Sequence, residues 1–438
     1  MSDRLAALAQ LTRKHAASAR AVAVLGTVSE TGTSHVRIRG LSAFATPGDL
    51  VSIAHSELAE IVQIDSDSVV AIPYEKRSNV RLGSNATLVG RLRIRPHASW
   101  LGRVVDPLGT PLDGGGALLS GLEALAIDGE PPPAMDRNRV FQPLRTGIKV
   151  IDAFTPICAG QRIGIFAGTG VGKSTLLAMF AQVPDVPVIV LALVGERGRE
   201  VREFLEDVLG ERCGRVIAVV STGDDSAALR RNAPKTAMTI AEYFRDQGKR
   251  VLLMIDSITR FAHAQREHAL SAGEPAVARG YPPSVFAEVA KLLERAGPGP
   301  RGMGDITTIA TVLVDGDDHN DPIADAARGI LDGHIVLDRK IAAAGRWPAV
   351  DLLASLSRLA PKAWTPAERS IAQAARSAIA RYEDTRDLRM IGGYQPGSDP
   401  DLDRAVAVVP KIYELLQQNA GDDASHDTFA QLARLLNL

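Results

Sequence analysis

The feature that most constrains this chain is a glycine-rich loop between an apolar run and a helical run. Residues 167–174 (AGTGVGKS) follow the run RIGIFA and lead into TLLAMFA. In that setting, glycines let backbone N–H groups turn toward phosphate oxygens, and the helix N-terminus adds partial positive charge. Lys173 is predicted to bridge the β- and γ-phosphates, and Ser174 to bind Mg²⁺. The predicted nucleotide-binding residues of the loop are Gly168, Thr169, Gly170, Val171, Gly172, Lys173, Ser174 and Thr175.

A parallel sheet is predicted around this loop. From about residue 144 to about residue 360, apolar runs alternate with amphipathic helical patterns, which is typical of parallel strands covered on both faces. One run, residues 250–256 (RVLLMID), ends in Asp256. A carboxylate at the end of a buried strand can hold the water shell of Mg²⁺ beside the phosphates. Many such strands end in Asp, so this assignment depends on the pairing of Asp256 with Lys173 in one domain.

A second carboxylate, Glu196, distinguishes a hydrolase from a protein that only binds nucleotide. It lies in residues 195–200 (GERGRE), directly after the apolar run PVIVLALV. We expect it to orient and polarise the attacking water, with Arg197 and Arg260 as candidates for stabilising the transferred phosphate charge. The alternative is that Glu196 forms a surface ion-pair cluster with Arg197 and Arg199.

These residues stand in longer motifs, GER at 195–197, DSITRFA at 256–262 and RGYPPS at 279–284. Together with the phosphate loop they resemble the RecA-like ATPases related to the catalytic subunit of rotary ATP synthases. Within that group, the stretches similar to the export ATPases of type III secretion are LGRVVDPLGTPLDG, PLRTGIKVIDAFTPICAGQRIGIFAGTGVGKST, RGYPPSVFAEVAKLLERAG and IADAARGILDGHIVLDR. The run CAGQRIGIFAG and the residues ASW before LGRV are closer to the flagellar branch than to the injectisome branch.

The resemblance implies roles for single residues. Arg358, in LASLSR, matches the arginine finger that enters a neighbouring subunit's site, although the residues alone favour a structural ion pair. Trp347 matches the position where related subunits place an aromatic ring against adenine, and interface core is the alternative. The implied catalytic residues are Lys173, Glu196 and Arg358, to which Arg197 is added as the candidate named above; the implied metal ligands are Ser174 and Asp256, and the implied cofactors are ATP and Mg²⁺.

The implied activity is Mg²⁺-dependent ATP hydrolysis that drives flagellar type III protein export, by releasing substrates from chaperones and readying them for the export gate. The implied assembly is a homohexamer in the cytoplasm, peripherally associated with the inner-membrane export apparatus. Its implied partners are regulator or stator proteins, a stalk protein, the export gate and substrate–chaperone complexes. The alternatives are a virulence injectisome export ATPase, a Rho-type RNA translocase, and a non-catalytic rotary-ATPase subunit, which generally lacks the carboxylate at Glu196.

Charge and composition weigh against the RNA translocase. Lys and Arg number 50 against 51 Asp and Glu, and aromatic residues make up 4% of the chain. A nucleic-acid track usually carries excess positive charge and stacking rings, so no nucleic-acid partner is expected. The cysteines, Cys158 and Cys213, cannot form a disulfide framework, and no apolar run reaches the ~18 residues of a membrane span. A cytoplasmic location is therefore expected.

The expected fold class is α/β, with a RecA-like P-loop ATPase core between an N-terminal β-barrel and a C-terminal helical domain. Residues 21–95 carry the short β-branched runs of a small barrel, and residues 96–360 form the ATPase domain. Residues 361–438 are helical, with a capping box of Thr365 and Glu368 near their start. Residues 1–20 form an amphipathic segment, either a solvated helix on the next domain or a docking helix for a partner or an anionic membrane surface.

Overall fold

The computed structural model describes residues 23–32, 35–75, 80–314, 321–422 and 427–438. The chain divides into two compact units, one ending at Leu92 and the other running from Arg93 to Leu438. The predicted amphipathic segment, residues 1–20, lies outside the described residues.

The first unit is a closed six-stranded antiparallel barrel, which confirms the barrel predicted from the short β-branched runs. Its strands are β1 (Leu25–Thr31), β2 (Val36–Arg39), β3 (Asp49–Ile53), β4 (Glu57–Ile64), β5 (Ser68–Pro73) and β6 (Asn85–Arg91). In β2, Val36 and Ile38 are buried and alternate with Arg37 and Arg39, the period-two pattern of a strand with one face on a core. The order β1-β2-β5-β4-β3-β6 closes because β6 also pairs with β1, so the barrel has no free edge.

A nine-stranded sheet forms the centre of the second unit. Its strands are β8 (Val104–Val105), β12 (Arg162–Ala167), β13 (Val188–Glu196), β14 (Val216–Thr222), β15 (Arg250–Asp256), β16 (Gly297–Pro298), β17 (Asp305–Leu313), β18 (Gly333–Leu337) and β19 (Val350–Ser357). Two further pairs are β7 (Arg93–Ile94) with β9 (Leu125–Ala126), and β10 (Pro143–Leu144) with β11 (Ile157–Cys158). The order is β19-β18-β12-β17-β15-β13-β14-β8, with β16 beside β17; β19 and β16 run antiparallel to their neighbours.

The apolar runs of the sequence explain why this sheet is internal and mostly parallel. Every residue of β13 is buried, and in β15 only Arg250 is not. Strands without a polar face must be covered on both sides, which crossover helices achieve. Because β12, β17, β15 and β13 are parallel neighbours, their carboxyl ends lie at one edge of the sheet. The glycine-rich loop, Asp256 and Glu196 therefore meet at that edge.

The α-helices of the described residues all belong to the second unit. They are α1 (Lys149–Phe154), α2 (Lys173–Phe180), α3 (Gly198–Glu203), α4 (Ala227–Asp246), α5 (Ile258–Ser271), α6 (Pro283–Glu294), α7 (Pro322–Ile330), α8 (Arg339–Ala343), α9 (Ala360–Ala363), α10 (Pro366–Asp384), α11 (Arg386–Met390), α12 (Pro400–Leu416) and α13 (Thr428–Leu436). Short 3-10 turns occur at Ala98–Trp100 and Gly210–Arg215, and a π-helical stretch at Phe204–Leu209. None of the helices in the described ranges combines the length and apolar character needed to cross a membrane.

The C-terminal helices share one core with the sheet. The capping box predicted at the start of α10 is confirmed: the Glu368 amide donates to the Thr365 hydroxyl at 3.3 Å, and the Thr365 amide donates to the Glu368 carboxylate at 2.8 Å. Ile379 of α10 and Ile412 of α12 belong to the same buried cluster as Ile151 of α1 and the strand residues. This packing brings the residues that follow α12 to the edge where β12 ends.

Candidate functional site

The glycine-rich loop connects β12 to α2 and requires two of its glycines. Gly170 and Gly172 have φ angles of +75° and +88°, in the left-handed region that residues with a Cβ rarely adopt. A Cβ on Gly172 would also lie 2.5 Å from Cζ3 of Trp347. The loop therefore presents a concave backbone surface at the start of α2, where phosphate oxygens can approach the N–H groups.

A cavity of about 750 Å³ opens at this edge of the sheet and is large enough for a nucleotide. It is formed by the loop, the ends of β13 and β15, and the segments at 347–348 and 418–420. The predicted site residues that line it are Gly168, Thr169, Gly170, Gly172, Lys173, Ser174, Thr175, Glu196, Arg197, Asp256 and Trp347. Val171 instead packs its side chain into the core behind the loop. Arg358 is not among the lining residues.

Lys173 lies between two carboxylates in this cavity. Its Nζ is 2.6 Å from Oδ1 of Asp256 and 3.7 Å from Oε1 of Glu196. The side chains of Lys173, Asp256 and Glu196 are only 15%, 6% and 11% exposed. When charged groups are buried to this degree, removing one of them leaves the others with a large uncompensated desolvation cost. An entering polyphosphate therefore has a poorly hydrated ammonium group to bind, in exchange for its contact with Asp256.

Glu196, the last residue of β13, has an unusual environment for a carboxylate. Burial raises its pKa above that of an ordinary glutamate, Asp256 raises it further, and the positive charges of Lys173 and Arg260 oppose the rise. Its Oε1 atom is buried and accepts no hydrogen bond from the described residues. A buried acceptor that makes no hydrogen bond and faces a cavity is suited to binding a water molecule.

Two arginines flank Glu196 in different ways. The guanidinium of Arg260 donates to the Gly195 carbonyl and lies 3.3 Å from Oε1 of Glu196, so it holds this carboxylate in place. Arg197 lies at the rim, with an 82% exposed side chain paired to Glu200 at 3.3 Å. Surface ion pairs of the kind considered above do form along α3, but Glu196 is buried in the cavity and is not one of their partners.

The lining of the cavity includes residues that the sequence analysis did not predict. Gln418, Asn419 and Ala420 follow α12 and line the cavity beside Trp347 and Pro348. The backbone amide of Gln418 donates to the Trp347 carbonyl at 3.0 Å, which joins the two segments. No motif marks residues 418–420, since their position depends on how the C-terminal helices pack on the core.

Arg358 lies outside the cavity of its own chain. It directly follows β19, its side chain is exposed, and its Nη2 donates to the carbonyl of Arg328 at 3.2 Å. No carboxylate of the described residues forms an ion pair with it. The structural ion pair considered above is therefore not found in the described part of the chain.

The oxygen atoms at the loop fit a hard divalent cation. The Ser174 side chain is exposed to the cavity, and Asp256 has one oxygen, Oδ2, that accepts no hydrogen bond from the described residues. Hydroxyl and carboxylate oxygens are the ligands that Mg²⁺ prefers. The described residues contain no cluster of three or more His, Cys, Asp or Glu arranged to hold a metal.

Family models match most of the second unit. The nucleotide-binding domain of the ATP synthase alpha/beta family matches residues 147–357. The T3SS EscN ATPase C-terminal domain matches residues 364–434. Both matched regions contribute residues to the cavity: the first contains the loop, and the second contains residues 418–420.

Relatives cover the whole chain. A flagellum-specific ATP synthase of Agrobacterium fabrum is 51% identical over 439 residues, covering 100% of this chain and 93% of the relative. The SPI-2 type 3 secretion system ATPase of Salmonella typhimurium is 46% identical over 365 residues, covering 83% of each chain. The assembled ATPase EscN from the enteropathogenic E. coli type III secretion system aligns with a TM-score of 0.87 at 41% identity, over 94% of this chain and 100% of that chain. A second structure of EscN, in complex with its central stalk EscO, aligns with the same TM-score at 40% identity and the same coverage of both chains. The chain therefore belongs to the flagellar type III export ATPases, a branch of the ATP synthase alpha/beta family.

Proposed function

We propose that this ATPase hydrolyses MgATP to drive protein export through a flagellar type III apparatus. The observation that carries the proposal is the buried Oε1 of Glu196, which faces the same cavity as Lys173 and accepts no hydrogen bond from the described residues, although it is ion-paired to Arg260. A subunit that only binds nucleotide gains nothing from the cost of burying a carboxylate there. The whole-chain similarity to a flagellum-specific ATP synthase supports flagellar rather than injectisome duty.

Each residue of the cavity has a separate task in this proposal. The loop amides and Lys173 bind the phosphates, and Trp347 stacks on the adenine ring. Glu196 accepts a hydrogen bond from the attacking water and orients it, and its raised pKa makes the carboxylate a stronger base than an ordinary glutamate. Arg260 fixes Glu196, and Arg197 adds positive charge near the transferred phosphate.

Mg²⁺ has a defined place in the proposal. Ser174 and Asp256 are the residues that would hold it, directly or through its water shell. When bound with ATP, the ion supplies neutralisation of the phosphate charge.

Activity is proposed to depend on assembly. Arg358 is exposed and outside its own cavity, so we assign it to the cavity of the neighbouring subunit in a homohexamer. The solved structure of assembled EscN supports an oligomer, and the EscN–EscO complex supports a central stalk partner. The proposed further partners are a regulator or stator protein, the export gate and substrate–chaperone complexes.

The proposed domain organisation follows from these tasks. Residues 21–95 form the barrel domain, residues 96–360 the ATPase domain and residues 361–438 the helical domain that faces export substrates. Residues 1–20 are proposed to dock a partner or an anionic membrane surface, which would place a cytoplasmic protein at the inner membrane.

Replacing Glu196 with glutamine tests the proposal. The amide keeps the shape of the side chain but is a poor base, so phosphate release should fall ~10²–10⁴-fold while ATP binding is retained. The matched control is Glu206→Gln, an exposed carboxylate that pairs with Arg202 outside the cavity lining and should stay within about twofold of wild type. Equal and negligible turnover in wild type and Glu196→Gln would instead indicate a non-catalytic subunit. Turnover that strictly requires added RNA would indicate a nucleic-acid translocase.

A further inference from the structure

Asp256 has a hydrogen-bond donor that belongs to none of the recognised motifs. Thr311 lies on β17, the strand next to β15, and its side chain is fully buried. Its Oγ1 lies 2.6 Å from Oδ1 of Asp256. The same Oδ1 accepts from Nζ of Lys173, also at 2.6 Å. Both strong donors thus converge on one oxygen of the carboxylate, and Oδ2 accepts no hydrogen bond from the described residues.

This arrangement fixes the orientation of the carboxylate. A carboxyl group rotates about its bond to Cβ unless hydrogen bonds distinguish its two oxygens. Two charge-assisted bonds to Oδ1 do so here and leave Oδ2 as the oxygen free for a ligand. Hydrogen bonds that orient a metal-binding side chain typically change metal affinity or activity by ~10–100-fold when removed.

The same strand offers an internal comparison. Thr308 is also fully buried on β17, but its hydroxyl oxygen has no hydrogen-bond partner in the described structure. A buried threonine can therefore pack on this strand without its hydroxyl making a hydrogen bond. What distinguishes Thr311 is its direct bond to a residue of the nucleotide cavity.

Nucleotide binding is expected to affect the two hydrogen bonds to Asp256 differently. In the proposed function, Lys173 moves its ammonium to the phosphates and its bond to Asp256 weakens. Thr311 is held by the interior of the sheet and remains. It then becomes the donor that keeps Oδ1 engaged while the nucleotide is bound.

We infer that Thr311 is a positioning residue that keeps Oδ2 of Asp256 turned toward the Mg²⁺ position. The inference rests on the proposed function, since it assigns a further residue to the same nucleotide and metal site. It predicts that Thr311 acts on the metal-dependent part of nucleotide binding and has no effect on the metal-independent part.

The test measures ADP affinity by titration calorimetry, once in EDTA and once in excess MgCl₂. In Thr311→Val, ADP affinity in EDTA should equal that of wild type, and the gain on adding Mg²⁺ should shrink ~10-fold. ATP turnover should fall by a similar factor. Thr311→Ser retains a hydroxyl and should restore both the gain and the turnover, whereas Thr308→Val is the matched control and should leave both unchanged.

Different results overturn different claims. An undiminished Mg²⁺ gain in Thr311→Val, a loss of equal size in Thr308→Val, or no restoration by Thr311→Ser would each overturn the role of Thr311. A wild-type protein whose ADP affinity does not respond to Mg²⁺ would instead count against the proposed metal site itself. Thermal unfolding of the valine variants shows whether any loss comes from the fold.

Discussion

Two clefts of similar size lie in the second unit, and they differ in how their carboxylates are hydrogen-bonded. The nucleotide cavity of about 750 Å³ contains Glu196, whose Oε1 is buried without a hydrogen-bond donor in the described structure. The other cleft, of about 950 Å³, lies among α8, β19, α10, α11 and α12. Three of its acids accept hydrogen bonds from nearby groups. Asp338 and Asp351 accept them from backbone amides, and Glu383 accepts one from the Tyr413 hydroxyl at 2.5 Å. Three of the four acids that line the larger cleft thus accept hydrogen bonds and the fourth, Glu414, is exposed, whereas in the smaller cleft a buried carboxylate oxygen accepts no hydrogen bond from the described residues.

Shifted pKa values occur in both clefts and do not by themselves identify the active one. Burial raises the pKa of Tyr413, and its hydrogen bond to Glu383 adds to the rise, so this hydroxyl stays neutral as it would in water. Burial also raises the pKa of Glu196, which moves its proton exchange toward neutral pH. The first shift leaves Tyr413 in the form it has in water, whereas the second moves the titration of a carboxylate in the nucleotide cavity upward from its ordinary range.

The largest effect expected from outside the cavity is that of Arg358. If it enters the neighbouring subunit's cavity, Arg358→Ala should lower turnover by ~10³-fold or more and leave ATP binding intact. Its side chain is exposed and makes one hydrogen bond to a backbone carbonyl, so its removal should not unfold the chain. Phosphate release at protein concentrations that assemble hexamers measures the loss.

Mixing two inactive variants separates action across an interface from action within one chain. In a mixture of Arg358→Ala and Lys173→Ala, some interfaces combine an intact lysine with an intact arginine from the neighbour. Turnover should partly recover on mixing, whereas each variant alone at the same total concentration should stay inactive. Assembled mixed hexamers without recovery would show that Arg358 does not complete its neighbour's cavity.

The pH dependence of turnover is the next largest effect expected. Only the ionised form of Glu196 orients water, so turnover should fall ~10-fold for each pH unit below the pKa of this group. Because burial raises that pKa, the midpoint should lie above the ~4.3 of an ordinary glutamate. Phosphate release measured from about pH 4 to about pH 8, with ADP affinity at each point, separates catalysis from binding. A midpoint at or below the ordinary value would contradict the burial of Glu196 as the controlling factor.

The sequence analysis predicted the cavity residues that directly follow apolar strands. It did not predict the cavity residues whose position depends on tertiary packing. The apolar runs before Lys173, Glu196 and Asp256 locate all three at one edge of a parallel sheet. Thr311 sits inside an apolar run, where nothing marks a hydroxyl as functional. Gln418 reaches the cavity only because the C-terminal helices share a core with the sheet.

The fold shows the same division. Strands β12 and β15 have the bounds of their apolar runs, because both of their faces are buried. The barrel strand β4 was not predicted. Its Glu60 is buried between Ala59 and Ile61 of the barrel core and accepts a hydrogen bond from the Tyr74 hydroxyl at 3.4 Å, so a charged residue stands inside a buried run and obscures its apolar pattern. Edge strands such as β8 are too short to give any periodic signal.

The smallest expected effect compares one exposed arginine at each cleft. Arg197 lines the nucleotide cavity and Arg386 lines the larger cleft, and both side chains are exposed. Arg197→Ala should lower turnover by about tenfold, equivalent to ~1.4 kcal/mol of transition-state stabilisation, because it removes positive charge near the phosphates. Arg386→Ala should change turnover by less than about twofold, since a surface substitution away from the chemistry costs within ~0.5 kcal/mol. Steady-state phosphate release measures the turnover of the two variants. Equal losses would mean that the larger cleft takes part in turnover, and that satisfied carboxylates do not mark a cleft as inactive.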